Sequence, residues 1–410
     1  MLSHWKPFRE CGIQVQYSPM PMPVNTYRVF ISAAEPSADA HCAGLIAALR
    51  GRHADIEFVG VGGDKMAAAG CRLLENTAHK ATMIYNAFKE VGRYWLLLKR
   101  IERSFQNDRP DLAIVCDSPS FNFHVAKAAK RAGIRTLFYV APQLWAWGGW
   151  RINKLRRTCD RLCCILPFEE QWFKDRGIDA TFVGNPLLDP LGQDLSENIK
   201  TYAGLVRRSL KVAIMPGSRT AEIQTLWQPM QHIALRLRQD HPDVRFVTVA
   251  ANEQRRQELA AAQVPSFACE YSIDSVYRTA IGADFALVAS GSATLEVAAA
   301  GCPMVVMYQT SRILWHLAGR WLLRPKFLCL VNLVAERELV TEFMPYFTSI
   351  EPIVARVEGL LADKGSMARL SRDLVGITQP LTKKKASVEV AAIVLQMLGD
   401  QIAGGRRQDD

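Results

Sequence analysis

Residues 284–308, DFALVASGSATLEVAAAGCPMVVMY, decide how the chain folds. The apolar run 285–289 stops at Ser290-Gly291-Ser292-Ala293, a helix-like run starts at Thr294, and Gly301-Cys302-Pro303 ends it. A second apolar run, 304–308, follows at once. Strand, small-residue turn, helix and strand in that order make a βαβ unit with almost no connecting loop. The turn predicts close backbone approach at Gly291, with N–H groups at the helix start that suit a phosphate. Glu296, one turn in, is too near such a phosphate to bind it but can accept hydrogen bonds from ribose hydroxyls. The plainer reading is a tight turn with an acid at a helix N-terminus, where the macrodipole favours it.

The same alternation recurs upstream. Residues 211–215 (KVAIM) read as a strand opening onto Pro216-Gly217-Ser218-Arg219, then a helix over 222–239 and a strand over 245–250. The turn at Gly217 and Ser218 presents backbone donors, and the Arg219 guanidinium can fork onto a diphosphate. It lacks the Lys-Ser/Thr ending of a nucleotide-hydrolysing loop, which argues against ATP hydrolysis. Nearer the start, a strand over 28–33 runs through Ala34-Glu35-Pro36-Ser37-Ala38-Asp39 into a helix over 41–50. Strands follow at 56–61, 111–116, 135–140, 162–166 and 181–183. Small and polar residues after the strands mark the ligand edge of an open α/β sheet. There Ser37 or Asp39 can cap a helix. Asp117, after the 111–116 strand, either caps the helix near Phe121 or serves as a general base. Gly184-Asn185-Pro186 and the polar stretch 193–201 mark a domain boundary.

The 410 residues leave room for two such units. Hydrophobic residues at 49% and charged ones at 22% exclude disorder for the bulk. No apolar run reaches the ~18 residues of a membrane span, and residues 1–26 read as a loose leader without the apolar core of a signal peptide. Ten cysteines without a C-x-x-C point to a reducing, cytosolic protein with no disulfide framework and no zinc site. A net charge of +10 calls for a partner of opposite sign: nucleic acid, anionic lipid or phosphorylated substrates.

Three basic stretches bear on that partner. Over 82–103 the apolar Phe88, Val91, Trp95, Leu98 and Ile101 recur at helical steps among Lys89, Arg93, Lys99, Arg100 and Arg103, so the helix either packs on a core or lies on an anionic membrane. Residues 311–326 carry Arg312, Arg320, Arg324 and Lys326 with no acid, and Leu314, Leu317, Trp321 and Leu322 along one side. That is a membrane-surface candidate, where each cation contributes roughly 1 kcal/mol, with burial as the competing account. Residues 151–161 hold Arg151, Lys154, Arg156, Arg157 and Arg161 against Asp160 alone, but no nucleic-acid-binding motif accompanies them. Asn332, in an apolar setting, needs partners whatever its role.

The motifs then become specific. AEPSADAHCAGLIAALR, VGVGGDKMAAAGC, DSPSFN, APQLWAW, LPFEEQWF, MPGSRTAEI, SGSATLEVAAAGCPMVV and VNLVAERELV resemble, in order and spacing, the lipid-A-disaccharide synthases, from about Arg28 to the C-terminal helix. The resemblance implies an α/β fold of GT-B type, two Rossmann-like domains with parallel sheets facing a central cleft. Its expected divisions are a leader at 1–26, an acceptor domain at 27–200, a UDP-sugar domain at 201–378, and a helix and tail at 379–410 that pack back or onto a partner subunit. It implies an inverting, metal-independent transfer without cofactor. UDP-2,3-diacylglucosamine would condense with 2,3-diacylglucosamine 1-phosphate to give a β-1,6 disaccharide and UDP. On this chain Asp117 matches the family's candidate base. Gly217, Ser218, Arg219, the turn Ser290, Gly291, Ser292, Ala293 and Thr294, Glu296 and Asn332 match the donor site, and Glu35, Ser37 and Asp39 the first loop. Trp95, Leu98, Trp315, Arg320, Trp321 and Arg324 become acyl or membrane contacts. The implied location is cytoplasmic, peripheral on the inner membrane, with a homodimer among the expected partners and no nucleic acid. Departures are Ala34, Pro36 and Ala38 in the usual G-E-x-S-G-D loop, Ser120 for a second aspartate, and Asn185 for a histidine. A UDP-sugar epimerase, a transferase with another lipid acceptor, and a non-catalytic sugar-nucleotide or lipid binder are the alternatives.

Overall fold

Uninterrupted apolar runs become strands buried on both faces, as parallel sheets require. A computed structural model describes residues 26–53, 55–77, 87–202, 209–273, 275–310 and 326–405. The leader lies outside the described residues, as does the basic stretch with Trp315, Arg320, Trp321 and Arg324.

The first half alternates β1 (Tyr27–Ala33), α1 (Pro36–Arg50), β2 (Ile56–Gly62), α2 (Asp64–Ala68), β3 (Arg72–Asn76), α3 (Ala87–Asn107), β4 (Leu112–Cys116) and α4 (Pro119–Arg131). It continues with β5 (Arg135–Tyr139), α5 (Ile152–Thr158), β6 (Arg161–Cys164), α6 (Pro167–Lys174) and β7 (Ala180–Phe182). The second half runs β8 (Lys211–Met215), α7 (Thr220–Asp240), β9 (Arg245–Ala250), α8 (Glu253–Ala261), β10 (Glu270–Ile273), α9 (Val276–Gly282), β11 (Phe285–Ala289) and α10 (Ala293–Ala299). After β12 (Met304–Met307) come α11 (Leu330–Ala335), β13 (Thr341–Phe343), α12 (Glu351–Ala362), α13 (Lys364–Thr382) and α14 (Ala386–Gly405).

The sheets are ordered β3-β2-β1-β4-β5-β6-β7 and β10-β9-β8-β11-β12-β13, parallel throughout. Chain order reverses between β1 and β4 in one and between β8 and β11 in the other, and crevices open at such reversals. A shared apolar cluster, with Trp145, Leu166 and Leu188 from the first half and Met215, Val288 and Leu295 from the second, joins them.

α14 crosses back and packs on α1 through Val390, Ala391 and Val394. Asp189 caps it, accepting from the Ala386 and Ser387 N–H groups at 2.7 and 2.8 Å. Pro380 lies in the last turn of α13, ahead of α14. In α3, Leu97, Ile101 and Phe105 form the buried face and Leu98 is half-buried. Trp95 and Leu96 point outward at 58% and 60% exposure, beside Arg93, Lys99, Arg100 and Arg103 along an open groove. Among the described residues no helix is long and apolar enough to cross a membrane.

Candidate active site

On the first sheet, β1 ends at Ala33 and α1 begins at Pro36, so Glu35 is its N-cap and Ser37 lies exposed in its first turn. β4 delivers Asp117 and Ser118, both in the left-handed region at φ 51° and 44°. Non-glycine residues rarely hold that conformation without support. Asn122 supplies it. Its Nδ2 donates to the Cys116 and Asp117 carbonyls at 2.8 and 2.7 Å, and its Oδ1 accepts from the Ser32 hydroxyl at 2.7 Å. The Asp117 N–H closes the turn onto the Tyr139 carbonyl.

The strained turn brings two carboxylates together. Ser118 Oγ donates to Glu35 Oε1 at 3.0 Å. Burial, then the Glu35 charge, push the Asp117 pKa above the usual carboxylate range, against the Ser118 N–H and the Arg219 charge. A base poised upward in this way accepts a proton more readily at working pH.

From the second sheet, Arg219 follows β8 and reaches across to Glu35 Oε2 at 3.5 Å. Its own turn is bound from within. Glu222 Oε2 accepts from the N–H groups of Ser218 and Arg219 at 3.0 and 3.2 Å, and Oε1 lies 3.4 Å from the guanidinium. The backbone donors expected to face a diphosphate thus face Glu222, which leaves the guanidinium as the outward group. Gly217 sits at φ 101°, and a side chain there would overlap the Glu222 carboxylate. Across the switch point the Ser290–Thr294 turn is more open. Thr294 is buried and its hydroxyl bonds the Gly291 carbonyl at 2.7 Å, while a Cβ on Gly291 would meet no atom within 4 Å. Ser292 is the N-cap of α10, with Ala293 the first helical residue and Glu296 half-buried beyond it.

Two expected site residues face elsewhere. Asp39 accepts from the N–H groups of Gly63, Lys65 and Met66 at 2.7, 3.1 and 3.0 Å, so it caps α2. Asn332 is fully buried, with Nδ2 on Val340 O and Glu342 and Oδ1 on the Leu339 and Val340 N–H groups. Both act behind the site. Conversely, Ser118, Asn122 and Glu222 emerge as partners that the sequence reading did not single out. Glu222, three residues after the helix N-cap Arg219, carried the spacing of a capping box.

Two parallel, doubly wound sheets joined so that their switch points face define the GT-B type of fold, the fold of the glycosyltransferase and epimerase structures that this chain resembles. S. aureus MnaA in complex with UDP matches at TM-score 0.59 and 13% identity over 88% of this chain and 94% of its own, a likeness of fold alone. A family model described as lipid-A-disaccharide synthetase matches residues 29–387, and the chain belongs to that family. The lipid-A-disaccharide synthase of Myxococcus xanthus is 32% identical over 91% of this chain and 98% of its own length. That of Geobacter sulfurreducens is 31% identical over 92% and 99%. The chain is accordingly a glycosyltransferase of lipid A disaccharide synthesis.

Proposed function

We propose that the chain transfers 2,3-diacylglucosamine from UDP to the 6-hydroxyl of 2,3-diacylglucosamine 1-phosphate, with inversion at the anomeric carbon. The observation that carries this reading is the meeting of Asp117, Glu35 and Arg219 where the two switch points face. Asp117 takes the hydroxyl proton as the oxygen attacks, the anomeric carbon–oxygen bond to UDP breaks, and the electron pair leaves on the diphosphate. Arg219 and the Ser290–Thr294 turn stabilise that developing charge without a metal ion, and Glu296 accepts from the ribose hydroxyls. Glu35 adds to the burial that raises the Asp117 pKa, and holds Arg219 until UDP draws it away.

Both substrates carry acyl chains, so the enzyme works peripherally, at the cytoplasmic face of the inner membrane. The outward Trp95 and Leu96 and the cations around them support that location. A homodimer that exchanged α14 would rebuild the Asp189 cap and the contacts on α1 between copies. Mass spectrometry of products from the two diacylated substrates tests the reaction. A disaccharide 1-phosphate that disappears in Asp117→Asn supports it, and UDP-sugar turnover without acceptor overturns it.

A further inference from the structure

The basic stretch at 151–161 takes no part in the chemistry above, and the fold gives it a partnerless core. α4 and α5 pack side by side. There the charges of Lys127 on α4 and of Arg151, in the turn before α5, act on Lys154 of α5, and those of Lys154 and Lys127 act on His124 of α4. Lys154 Nζ lies 4.9 Å from the Phe123 ring centre, and the Arg151 guanidinium carbon stacks 4.3 Å from that of Trp147. Arg151 Nε is buried without a hydrogen-bond partner.

Three cations of the same half are neutralised: Lys130 pairs with Asp160 at 2.7 Å, Arg161 with Asp179 at 2.9 Å, and Lys174 with Glu170, whereas Arg156 bonds only to Asn153 and the Arg176 carbonyl. Lys127, Arg151 and Lys154 form no ion pair with any described residue. Burial first, then Lys127 and Arg151, hold the Lys154 pKa down, and burial, then Lys154 and Lys127, do the same for His124. A cation cluster that repels itself and has no acid beside it is stabilised when an anion arrives.

The flanks indicate the anion. Trp147 and Trp150 stand 43% and 68% exposed beside these cations, the combination found at the headgroup level of a membrane. α3 packs against the other side of α4, in the same layer, with Trp95, Leu96 and its own cations outward. We propose that Lys127, Arg151 and Lys154, flanked by Trp147 and Trp150, form a binding site for the phosphate of an anionic bilayer lipid. The inference rests on the reading that the enzyme works at a lipid surface, and adds to it a phosphate-reading contact made by Lys127, Arg151 and Lys154.

The test is co-sedimentation of the full chain at low salt with phosphatidylcholine vesicles, with and without phosphatidylglycerol. Wild type binds the anionic vesicles more tightly. Combining Lys127→Gln, Arg151→Gln and Lys154→Gln weakens that binding by on the order of a hundredfold, since each cation is worth roughly fivefold. Lys130→Gln, whose lysine is already paired, changes little. The triple variant removes the mutual repulsion together with the ring contacts of Arg151 and Lys154, so its thermal midpoint is measured alongside; should it unfold, the exposed Lys127→Glu alone carries the test with a loss of at least about tenfold. Turnover in detergent micelles free of anionic lipid stays at the wild-type value. If wild type binds anionic vesicles and the variants match it, this site is overturned while the lipid-surface reading stands. If wild type binds no vesicle, both fall. If the micellar KM for acceptor rises, the cluster holds the acceptor's own phosphate and the bilayer-lipid assignment is overturned.

Discussion

The two switch points are built from the same topology and do opposite work. At the first, a strand ends in two left-handed residues whose geometry is held by Asn122, and the result is a pair of carboxylates. At the second, the turn after β8 is neutralised internally by Glu222 and the turn after β11 stays open, and the result is an outward guanidinium beside exposed backbone. Burial and a neighbouring carboxylate raise Asp117 on one side, and satisfied donors leave a cation outward on the other. Position in the fold chooses where chemistry happens, and the local hydrogen bonds choose which.

Removing the base should separate the halves most sharply. Asp117→Asn keeps the shape of the turn but cannot take a proton, so kcat should fall by about 10²–10⁴-fold while calorimetry finds UDP affinity unchanged. Arg219→Ala is the mirror experiment. It should lower kcat/KM by about 10²–10³-fold and weaken UDP binding as well, because in the proposed mechanism the lost charge serves both bound and departing diphosphate. If Asp117→Asn loses UDP affinity as severely, the division of labour between the halves is wrong.

Third in size is the support of the strained turn. Asn122→Ala strips three hydrogen bonds, two of them buried, and should cost about 2–4 kcal/mol in chemical denaturation, with activity falling beyond what the folded fraction explains. The second half offers a smaller contrast between two glycines. Gly217→Ala forces a side chain into the Glu222 carboxylate at a left-handed position and should destabilise by about 1–3 kcal/mol. Gly291→Ala meets open space, so stability should stay within about 0.5 kcal/mol while the dissociation constant for UDP rises. Equal effects of the two on stability would show that the β11 turn is as closed as the β8 turn.

How much of this was legible in the chain follows from the same physics. LAIVC, KVAIM, RFVTVA and FALVA read as strands because central parallel strands need apolar residues on both faces, and β8, β9 and β11 begin and end where expected. Three of the four edge strands, β3 (RLLEN), β10 (EYSI) and β13 (TEF), pair on one side only, stay short and partly exposed, and leave no such run. Glu35, Asp117 and Arg219 were legible because ligand-edge residues follow strands directly. The roles of Asn122, Glu222, Asp39 and Asn332 depend on which backbone groups lie opposite, and that is fixed only when distant segments meet. In α3 helical spacing did not tell Trp95, which faces out, from Ile101, which faces in.

The smallest effect tests the coupling itself. Asp117 is raised first by burial and then by the Glu35 charge, and is pulled the other way by Arg219. In the proposed mechanism only its ionised form takes the proton, so kcat/KM should fall as pH drops through its pKa. Glu35→Gln removes the neighbouring negative charge but leaves the burial, so the acidic limb of the profile should move to lower pH and remain above that of an ordinary aspartate. Arg219→Ala removes the cation and should move the limb of its residual activity to higher pH. Stability gives the same sign independently. Because the folded state binds this proton more tightly than the unfolded chain, the fold loses stability as pH rises from the ordinary aspartate range through the raised value. Glu35→Gln should soften that loss. Profiles for the two variants that shift in the same direction would mean that the charges of Glu35 and Arg219 do not act on Asp117 from opposite sides of the crevice.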